Sequence, residues 1–556
     1  MKAELRSPRT ALRPVTDAVS AVGVLSRRGM FDWRHPGEMI RTMRDSAVYG
    51  PFVTVLAHST RLDPTAEAIV DERGPLTFGE LDRQSNALAR GLAATGIGGG
   101  TVIAALCRDH RGMVLTLLAA GKLGARVLLM NTGFAGPQLA AVAEREKVGA
   151  ILHDSEFTAL LGAIGTETPR VLTWVDGDVP EGAAVIDALI AANSTDPLPA
   201  PARPGGLVIL TSGTTGTPKG APRDKVSPLQ SAQFLDRVPL PRGGTLVMAA
   251  PIFHGTGLSQ LTLGWALGNR IVFEQRRFDP VRTLADVAEH RAQTLVVVPT
   301  MLQRIIDLGP EVLAKYDTSS LRVIFAAGSS ISPDLSRRTA ETFGEVLYNL
   351  YASTEVAVAA VATPEDMRLA PGTVGRPPVG CRVAIYDEQR NRITTPGVVG
   401  TIFVSSGLSF AGYTDGRHKE SVDGLLSSGD VGHFDAEGRL FIDGRDDDMI
   451  VSGGENVYPL EVENLLVARP DVLEAAVIGV DDRDFGKRLR AFVVLADGAE
   501  GDPQEIRDHV KANLARHKVP RDVLFLDELP RNATGKLLRR ALQDIDAEDA
   551  SAARPE

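Results

Sequence analysis

The chain has 556 residues, too many for one hydrophobic core, so two or more domains are expected. Its net charge of −10 excludes the basic surface of a nucleic-acid-binding protein. The two cysteines, Cys107 and Cys381, exclude a disulfide framework and suit a cytoplasmic protein, and the longest apolar run is broken by Lys122 and Arg126, which excludes a transmembrane helix there.

Residues 1–50 differ from the rest, because several arginines surround a mildly apolar centre. The apolar positions that could share one helical face are Val15, Ala18, Val19, Val22 and Leu25. The segment lacks the strong apolar centre and the cleavage site of a signal peptide. We expect an N-terminal arm that packs on the body of the protein. The alternative is a helix that makes weak contact with a membrane surface.

From about residue 75, helical and strand patterns alternate. Thr77 and Glu80 predict the capping box of a helix that runs to Leu92. Buried strands are predicted at 101–106, 125–130, 150–154, 245–251, 271–273, 294–299 and 321–328. Helices are predicted at 112–124, 138–147, 258–267 and 280–291. This alternation indicates an α/β fold of parallel sheets covered by helices.

The pattern changes after residue 380. Short strands and glycine-rich turns over 380–445 predict a small β-barrel-like subdomain. A compact α+β unit follows, with helices at 459–468 and 503–515 and strands near 474–480, 489–495 and 522–526. The predicted domains are the N-terminal arm at 1–50, a large domain of two helix-covered sheets and the barrel at 51–446, a small C-terminal domain at 447–545 and a tail at 546–556.

A polar loop, LTSGTTGTPKG, follows an apolar run and spans 210–220. Its glycines allow tight bends, and its backbone amides and hydroxyls can form a concave nest for an anion such as phosphate. The order of Lys219 and Gly220 is the reverse of that in a Walker A loop.

Five further motifs occur in order. They are PIFHGTG at 251–257, NLYASTE at 349–355, SSGDVG at 427–432, LFIDGRDDDMIVSGGENVYPLEVE at 440–463 and PRNATGK at 530–536. With the glycine loop, this set resembles the adenylate-forming superfamily of acyl- and aryl-CoA synthetases, peptide-synthetase adenylation domains and luciferases, over about residues 50–540. It is most similar to a bacterial fatty acyl-CoA synthetase.

The resemblance implies a reaction in two steps. A small-molecule carboxylic acid reacts with ATP in the presence of Mg²⁺ to form an acyl-adenylate and pyrophosphate, and the thiol of coenzyme A then takes the acyl group. It also implies that the C-terminal domain is mobile, because one site serves both steps.

Residue roles follow from the same resemblance. The residues expected to bind ATP or AMP are Thr211, Ser212, Gly213, Thr214, Thr215, Gly216, Lys219, Ala327, Gly328, Ser329, Asn349, Tyr351, Asp430 and Arg445. Asp430 would accept both ribose hydroxyls with support from Arg445, and Tyr351 would stack on adenine.

The same comparison of motifs implies a set of reactive residues. Lys536 would orient the carboxylate towards the nucleotide, Thr354 would donate to the α-phosphate, and Glu355 would hold Mg²⁺, which prefers a carboxylate together with phosphates. His254 would act as a gate between the acid pocket and the thiol channel.

The remaining implied roles concern coenzyme A and the domain rotation. Asp447 would be the hinge. Gly453, Gly454 and Glu455 would border the channel for the pantetheine arm.

The acid is the least determined part of this interpretation. The segments 253–263, 299–304 and 326–330 are expected to line an apolar pocket with space left by Gly255, Gly257, Ala326 and Ala327, which favours a medium- or long-chain fatty acid. Three alternatives stay open: an aryl or steroid-like acid, a carrier protein as acceptor, and an inactive nucleotide-binding sensor. Intact Thr354, Glu355, Asp430 and Lys536 oppose the sensor.

Overall fold

The computed structural model describes residues 8–30, 34–211, 219–223, 228–274, 277–410, 412–446, 448–452, 455–482, 486–496, 498–532 and 535–545. The helices are α1 Pro8–Arg27, α2 Pro36–Tyr49, α3 Pro51–Leu62, α4 Phe78–Ala94, α5 Arg111–Leu123, α6 Gly136–Arg145, α7 Ile186–Ala191, α8 Ala232–Leu235, α9 Gly255–Ala266, α10 Pro280–Glu289, α11 Pro299–Ile306, α12 Pro310–Leu313, α13 Pro333–Phe343, α14 Pro364–Leu369, α15 Pro459–Val467, α16 Pro503–Asn513 and α17 Arg539–Gln543.

The strands of the part before residue 380 are β1 Glu67–Asp71, β2 Gly74–Thr77, β3 Val102–Leu106, β4 Arg126–Leu129, β5 Ala150–Asp154, β6 Arg170–Trp174, β7 Leu207–Thr211, β8 Lys219–Pro222, β9 Thr245–Met248, β10 Arg270–Phe273, β11 Thr294–Val297, β12 Val323–Ala327, β13 Leu347–Ser353 and β14 Ala357–Ala362. Those that follow are β15 Arg382–Tyr386, β16 Arg392–Ile393, β17 Gly400–Ser405, β18 Ser421–Val422, β19 Leu425–Phe434, β20 Leu440–Arg445, β21 Ile450–Ser452, β22 Glu455–Val457, β23 Val472–Asp482, β24 Gly486–Leu495 and β25 Asp522–Phe525.

Two helix-covered sheets form the body, as the alternation predicts. Among the described residues, one sheet has the order β14-β13-β12-β11-β9-β10-β1-β2 and the other β6-β5-β3-β4-β7-β8. Inner neighbours are parallel, but β1–β2, β13–β14 and β7–β8 are antiparallel, so purely parallel sheets were the wrong expectation at these edges. Each antiparallel pair is joined by a short connection, and parallel neighbours need a crossover of a dozen residues or more.

The third sheet has the order β16-β15-β17-β19-β18, with β20 paired to β19, and is antiparallel throughout, as the short-strand pattern predicts. The C-terminal region forms its own sheet, β22-β21-β24-β23 with β25 on β24, and α15 and α16 pack on it around a separate apolar core. The expected α/β class with a large and a smaller part is therefore confirmed.

Local signals set the helix ends. The Thr77 hydroxyl accepts the Glu80 backbone N–H at 3.2 Å, and the Glu80 carboxylate accepts the Thr77 N–H at 2.8 Å, so the capping box of α4 is confirmed.

Helix α1 packs on the body. Ala21, Val24 and Leu25 are buried in its core, at the i, i+3, i+4 spacing of one helical face. Val19 is 67% exposed, so the packed face of α1 runs through Ala21, Val24 and Leu25 and not through all the positions that could share one helical face. In the described part of the chain, no helix combines the length and apolarity needed to cross a membrane.

Candidate active site

A cleft of about 1840 Å³ lies at the carboxyl ends of the parallel strands β9, β11, β12 and β13, the usual ligand position in an open α/β sheet. It also borders the third sheet and the C-terminal region. The predicted site residues that line it are Lys219, His254, Ala327, Gly328, Ser329, Asn349, Tyr351, Thr354, Glu355, Asp430, Arg445 and Lys536. Motifs that are far apart in sequence therefore share one cavity.

Asp430 sits at the centre of a polar cluster. The β19–β20 register places it opposite Arg445, whose guanidinium lies 3.6 Å from the carboxylate, and Tyr351 donates its hydroxyl to Asp430 Oδ2 at 2.5 Å. Burial raises the pKa of Asp430, and the positive charges of Arg445, Lys419 and Lys536 act in the opposite direction. One of the two Asp430 carboxylate oxygens that are expected to accept ribose hydroxyls thus already accepts a hydrogen bond from Tyr351.

The wall beside this cluster is built by β12 and β13. Ala326 pairs with Asn349 and Ala327 with Leu350. Gly328, which follows β12, has φ +113° and is exposed to the cleft, a conformation that favours glycine. The strand end therefore brings bare backbone to the cavity, which suits a flat ring.

The phosphate-loop prediction falls mostly outside the described residues: Ser212, Gly213, Thr214, Thr215 and Gly216 all lie there. Its ends are described, because Thr211 closes β7 and pairs with Lys219 at the start of β8. The Lys219 ammonium lies 5.1 Å from the ring centroid of Tyr413.

Glu355 is held by a residue that the sequence reasoning missed. Tyr413 donates its hydroxyl to Glu355 Oε1 at 2.6 Å, and burial together with this carboxylate raises the pKa of Tyr413. The Glu355 side chain lines the cleft near Lys219, so its donor chemistry fits a magnesium ion shared with substrate phosphates. None of the motifs above contains Tyr413. It lies in the loop between β17 and β18 of the third sheet and meets Glu355 only through tertiary folding.

Lys536 is presented by a tight turn. Its backbone N–H donates to the Asn532 side chain at 2.9 Å, and Arg531, paired with Glu474 at 2.7 Å, donates to the Gly535 carbonyl at 2.7 Å. A Cβ at Gly535 would lie 2.1 Å from the Thr300 hydroxyl of α11, so this turn touches the large region. In this arrangement the positive charge of Lys536 acts to lower the pKa of Asp430.

Most residues of the expected hinge and coenzyme A channel lie outside the part of the chain that the structure describes. Asp447, Gly453 and Gly454 lie outside the described residues, and Glu455 begins β22. Their roles stay predictions.

His254 lies at the N-terminus of α9. Its Nε2 is buried and has no hydrogen-bond partner among the described residues, and its ring lies 4.5 Å from that of Phe253. Burial lowers its pKa to about 4, so the imidazole is neutral at pH 7. The N–H of the nearby Ile252 is held by the Asp109 carboxylate at 3.0 Å.

Two residues expected to leave space for the acid do not. A Cβ at Gly257 would lie 2.4 Å from the Pro251 carbonyl, so this glycine lets α9 approach the preceding turn. Ala326 is fully buried in the apolar core behind the sheet. Gly255 does line the cleft, and a Cβ there would meet nothing within 4 Å.

The cleft continues as an apolar lobe along α9. Gly255, Ser259, Thr262 and Leu263 line it at the spacing of one helical face. The same cleft is also lined by Phe52 and Tyr49 of the N-terminal helices, Leu117 and Gly121 of α5, Val127 of β4, and Leu207 and Ile209 of β7. These further residues lie outside the segments 253–263, 299–304 and 326–330 that the sequence predicts for the acid pocket.

Comparison with known proteins agrees with this site. The model of the family described as AMP-binding enzyme matches residues 56–414, and that of the AMP-binding enzyme C-terminal domain matches 461–536. An indoleacetate–CoA ligase of Aromatoleum aromaticum is 32% identical over 87% of this chain and 96% of its own. A fatty acid–[acyl-carrier-protein] ligase of Streptomyces coeruleorubidus is 30% identical over 87% of this chain and 94% of its own.

A solved structure shows the same architecture. The o-succinylbenzoate CoA synthetase of Bacillus subtilis, in complex with its acyl-adenylate intermediate, has a TM-score of 0.75 and 28% identity over 88% of this chain and 98% of its own. The chain thus belongs to the AMP-binding, adenylate-forming enzyme family and is an ATP-dependent acid–thiol ligase that uses Mg²⁺ and coenzyme A.

Proposed function

We propose that the acid is a medium- or long-chain fatty acid, which the protein converts to its acyl-CoA ester. The observation that supports this is that one face of α9, from Gly255 to Leu263, lines the same cleft as His254 and Phe52. A chain of methylenes could follow the helix for most of its length. Each methylene removed from water contributes about 0.8 kcal/mol.

In the first step, a carboxylate oxygen attacks the α-phosphorus of ATP, the bond to the β-phosphate oxygen breaks, and pyrophosphate leaves. Lys536 supplies a positive charge in the cleft that orients two mutually repelling anions. Glu355 would hold Mg²⁺, which when bound neutralises phosphate charge. Asp430 accepts the ribose hydroxyls through the lone pairs that its bond to Tyr351 leaves open, and Thr354 donates to the α-phosphate.

In the second step, the sulfur of coenzyme A attacks the acyl carbon, the thiol proton passes to water, the bond between the acyl carbon and the phosphate oxygen breaks, and AMP leaves. We propose that the region 447–545 turns about Asp447, withdraws Lys536 and brings Gly453, Gly454 and Glu455 to the thiol. His254 acts as a gate between the acyl lobe and the thiol channel, and it is a neutral gate because its pKa of about 4 leaves it uncharged at pH 7.

An aryl acid is the second candidate, since the relatives include ligases named for indoleacetate and succinylbenzoate. ATP–pyrophosphate exchange with saturated acids from butanoate to dodecanoate and with indoleacetate and ferulate separates the two. A kcat/KM that rises with chain length supports the fatty acid, and a maximum at an aryl acid contradicts it. If acyl transfer needs a carrier protein instead of coenzyme A, the carrier protein is the acceptor. If no acid supports ATP–pyrophosphate exchange, the result favours an inactive nucleotide-binding sensor.

We further propose a cytoplasmic protein whose N-terminal helices make weak contact with anionic membrane. Residues 1–62 hold ten lysines and arginines and five acidic residues, although the whole chain is acidic. On α2, Ile40 is 66% exposed and Met43 is 44% exposed, beside exposed Arg41 and Arg44. Apolar side chains flanked by arginines are typical of interfacial helices.

Serine at both Ile40 and Met43 should reduce co-sedimentation with anionic vesicles and leave exchange with butanoate unchanged. The matched control places serine at Val398 and Val399, which are 44% and 40% exposed outside the N-terminal helices. An equal loss of co-sedimentation in the control variant would contradict membrane contact through α2. Equal binding of the wild type to neutral and anionic vesicles would contradict a preference for anionic membrane.

A further inference from the structure

Arg223 links the two halves of the phosphate site. It follows β8, the strand that pairs with β7 at the base of the phosphate loop, and its guanidinium donates to the Thr354 carbonyl. The side chain lines the cleft beside Glu355. Burial lowers its pKa to about 10, which leaves it charged at pH 7.

The turn that Arg223 contacts is unusual in its backbone. Ala357 has φ +58°, a left-handed conformation that a non-glycine residue keeps only when its surroundings hold it. The Ser353 hydroxyl accepts the Glu355 N–H at 3.2 Å. The turn thus combines this local hydrogen bond with a strained backbone position at Ala357.

Each carbonyl of the turn is held by a different group. The Glu355 carbonyl accepts the Phe410 N–H at 2.9 Å, and the Val356 carbonyl accepts the Ser406 hydroxyl at 2.9 Å. These two donors belong to the third sheet's loop. The Thr354 carbonyl accepts from Arg223, which belongs to the phosphate-loop hairpin.

We propose that Arg223 is a positioning residue for ATP: it holds the Thr354–Glu355 turn against β8, so that Glu355 and Lys219, at the start of β8, face the same triphosphate. A phosphate beside Lys219 and a metal ion that Glu355 would hold must be in register, and Arg223 directly connects the two backbone segments that carry these side chains. Its planar fork can bond a carbonyl and keep its charge in the cleft, which an ammonium does with less directional control. The inference rests on the proposed adenylation and adds a residue that the family motifs do not contain.

The test compares nucleotide affinities of Arg223→Gln without any acid. The affinity for ATP with Mg²⁺ should fall by about ten- to a hundredfold, the usual range for a lost charged hydrogen bond. The affinity for AMP should fall less than that for ATP, because AMP keeps the α-phosphate that Thr354 would contact but lacks the β- and γ-phosphates that would share the metal ion with Glu355. CoA-ester formation from supplied acyl-adenylate should also be retained.

Arg237→Gln is the matched control. Arg237 donates to the Val361 carbonyl at 2.9 Å, on the neighbouring strand β14, and also pairs with the Asp366 carboxylate; it is not among the described residues that line the cleft. The Arg237→Gln variant tests whether loss of any arginine hydrogen bond to β13 or β14 lowers the affinity for ATP. The control should keep the wild-type affinity for ATP.

Three outcomes would overturn the proposal: wild-type ATP affinity in Arg223→Gln, an equal loss of AMP and ATP affinity, or the same loss in Arg237→Gln. Where Arg223→Gln does not fold, Arg223→Lys is measured in its place, and wild-type ATP affinity in that variant refutes the proposal. A wild type that binds ATP with Mg²⁺ but exchanges no pyrophosphate with any acid contradicts the proposed function and leaves the Arg223 result standing.

Discussion

Leucine at Ser259 should shorten the acyl chain that the protein accepts. Ser259 lines the apolar lobe one turn beyond Gly255, and its hydroxyl donates to the Thr256 carbonyl of its own helix at 2.9 Å. Thr262 lies further along the same face and likewise donates to the Leu258 carbonyl at 2.9 Å. Replacing either therefore removes no bond to another element and adds an apolar side chain to the lobe.

Helix geometry sets the scale of the effect. Four residues from Gly255 to Ser259 advance about 6 Å, and three more to Thr262 about 4.5 Å. An extended alkyl chain advances about 1.3 Å per methylene from its bond length and angle. Ser259→Leu should thus end the rise in kcat/KM about three or four carbons earlier than Thr262→Leu.

The loss for longer acids follows from the burial that is prevented. Each excluded methylene lowers kcat/KM about fourfold, so an acid four carbons beyond the new limit should lose about two-hundredfold relative to the wild type. The assay is pyrophosphate release with saturated acids from butanoate to dodecanoate, and butanoate is the control within each variant. An equal fall for butanoate and dodecanoate, or the same limit in both variants, would refute an acid that follows α9.

Further predictions concern the polar half of the cleft. Lys536→Ala should lower ATP–pyrophosphate exchange about a hundred- to a thousandfold while CoA-ester formation from supplied acyl-adenylate persists, and equal loss in both would contradict a lysine used in one step only. Glu355→Gln should raise the half-saturating Mg²⁺ concentration about tenfold, since a charged ligand is lost, and an unchanged titration would remove Glu355 from the metal. Because burial lowers the pKa of His254 to about 4 from 6.5, the unfolded chain binds this proton first as the pH falls, and stability is lost between those values. From pH 7 to pH 5, the free energy of unfolding measured with denaturant should fall by about 2 kcal/mol less in His254→Asn than in the wild type. Equal falls in both proteins would contradict a buried imidazole with a lowered pKa.

Much of the fold could be predicted because its signals are local. The capping box at Thr77, the apolar runs of the buried strands and the change to short strands after residue 380 depend on neighbours within a few residues. The antiparallel edges β1–β2, β7–β8 and β13–β14 were missed, because the helix–strand alternation indicates only parallel neighbours and, in the part of the chain that the structure describes, these pairs have no helix between their strands.

The packed face of α1 shows the limit of helical periodicity alone. Its apolar residues allow more than one stripe, and contact with the body buries Ala21 and Leu25 while Val19 faces solvent. Gly257 shows the same limit at the site. A small residue in the sequence can leave room for a ligand or for a backbone, and only the 2.4 Å approach of a Cβ to the Pro251 carbonyl decides for the backbone.

The sequence by itself determined the family, because Asp430, Glu355 and Lys536 stand in motifs whose residue types and order are sufficient to identify it. Tertiary structure alone decided which side chains hold them: Tyr351 on Asp430, Tyr413 on Glu355, and Arg223 on the turn at Thr354. The residues of each pair are separated by 79, 58 and 131 positions. No short-range pattern encodes such contacts, since they form only after β8, β13 and the third sheet have packed around one cavity.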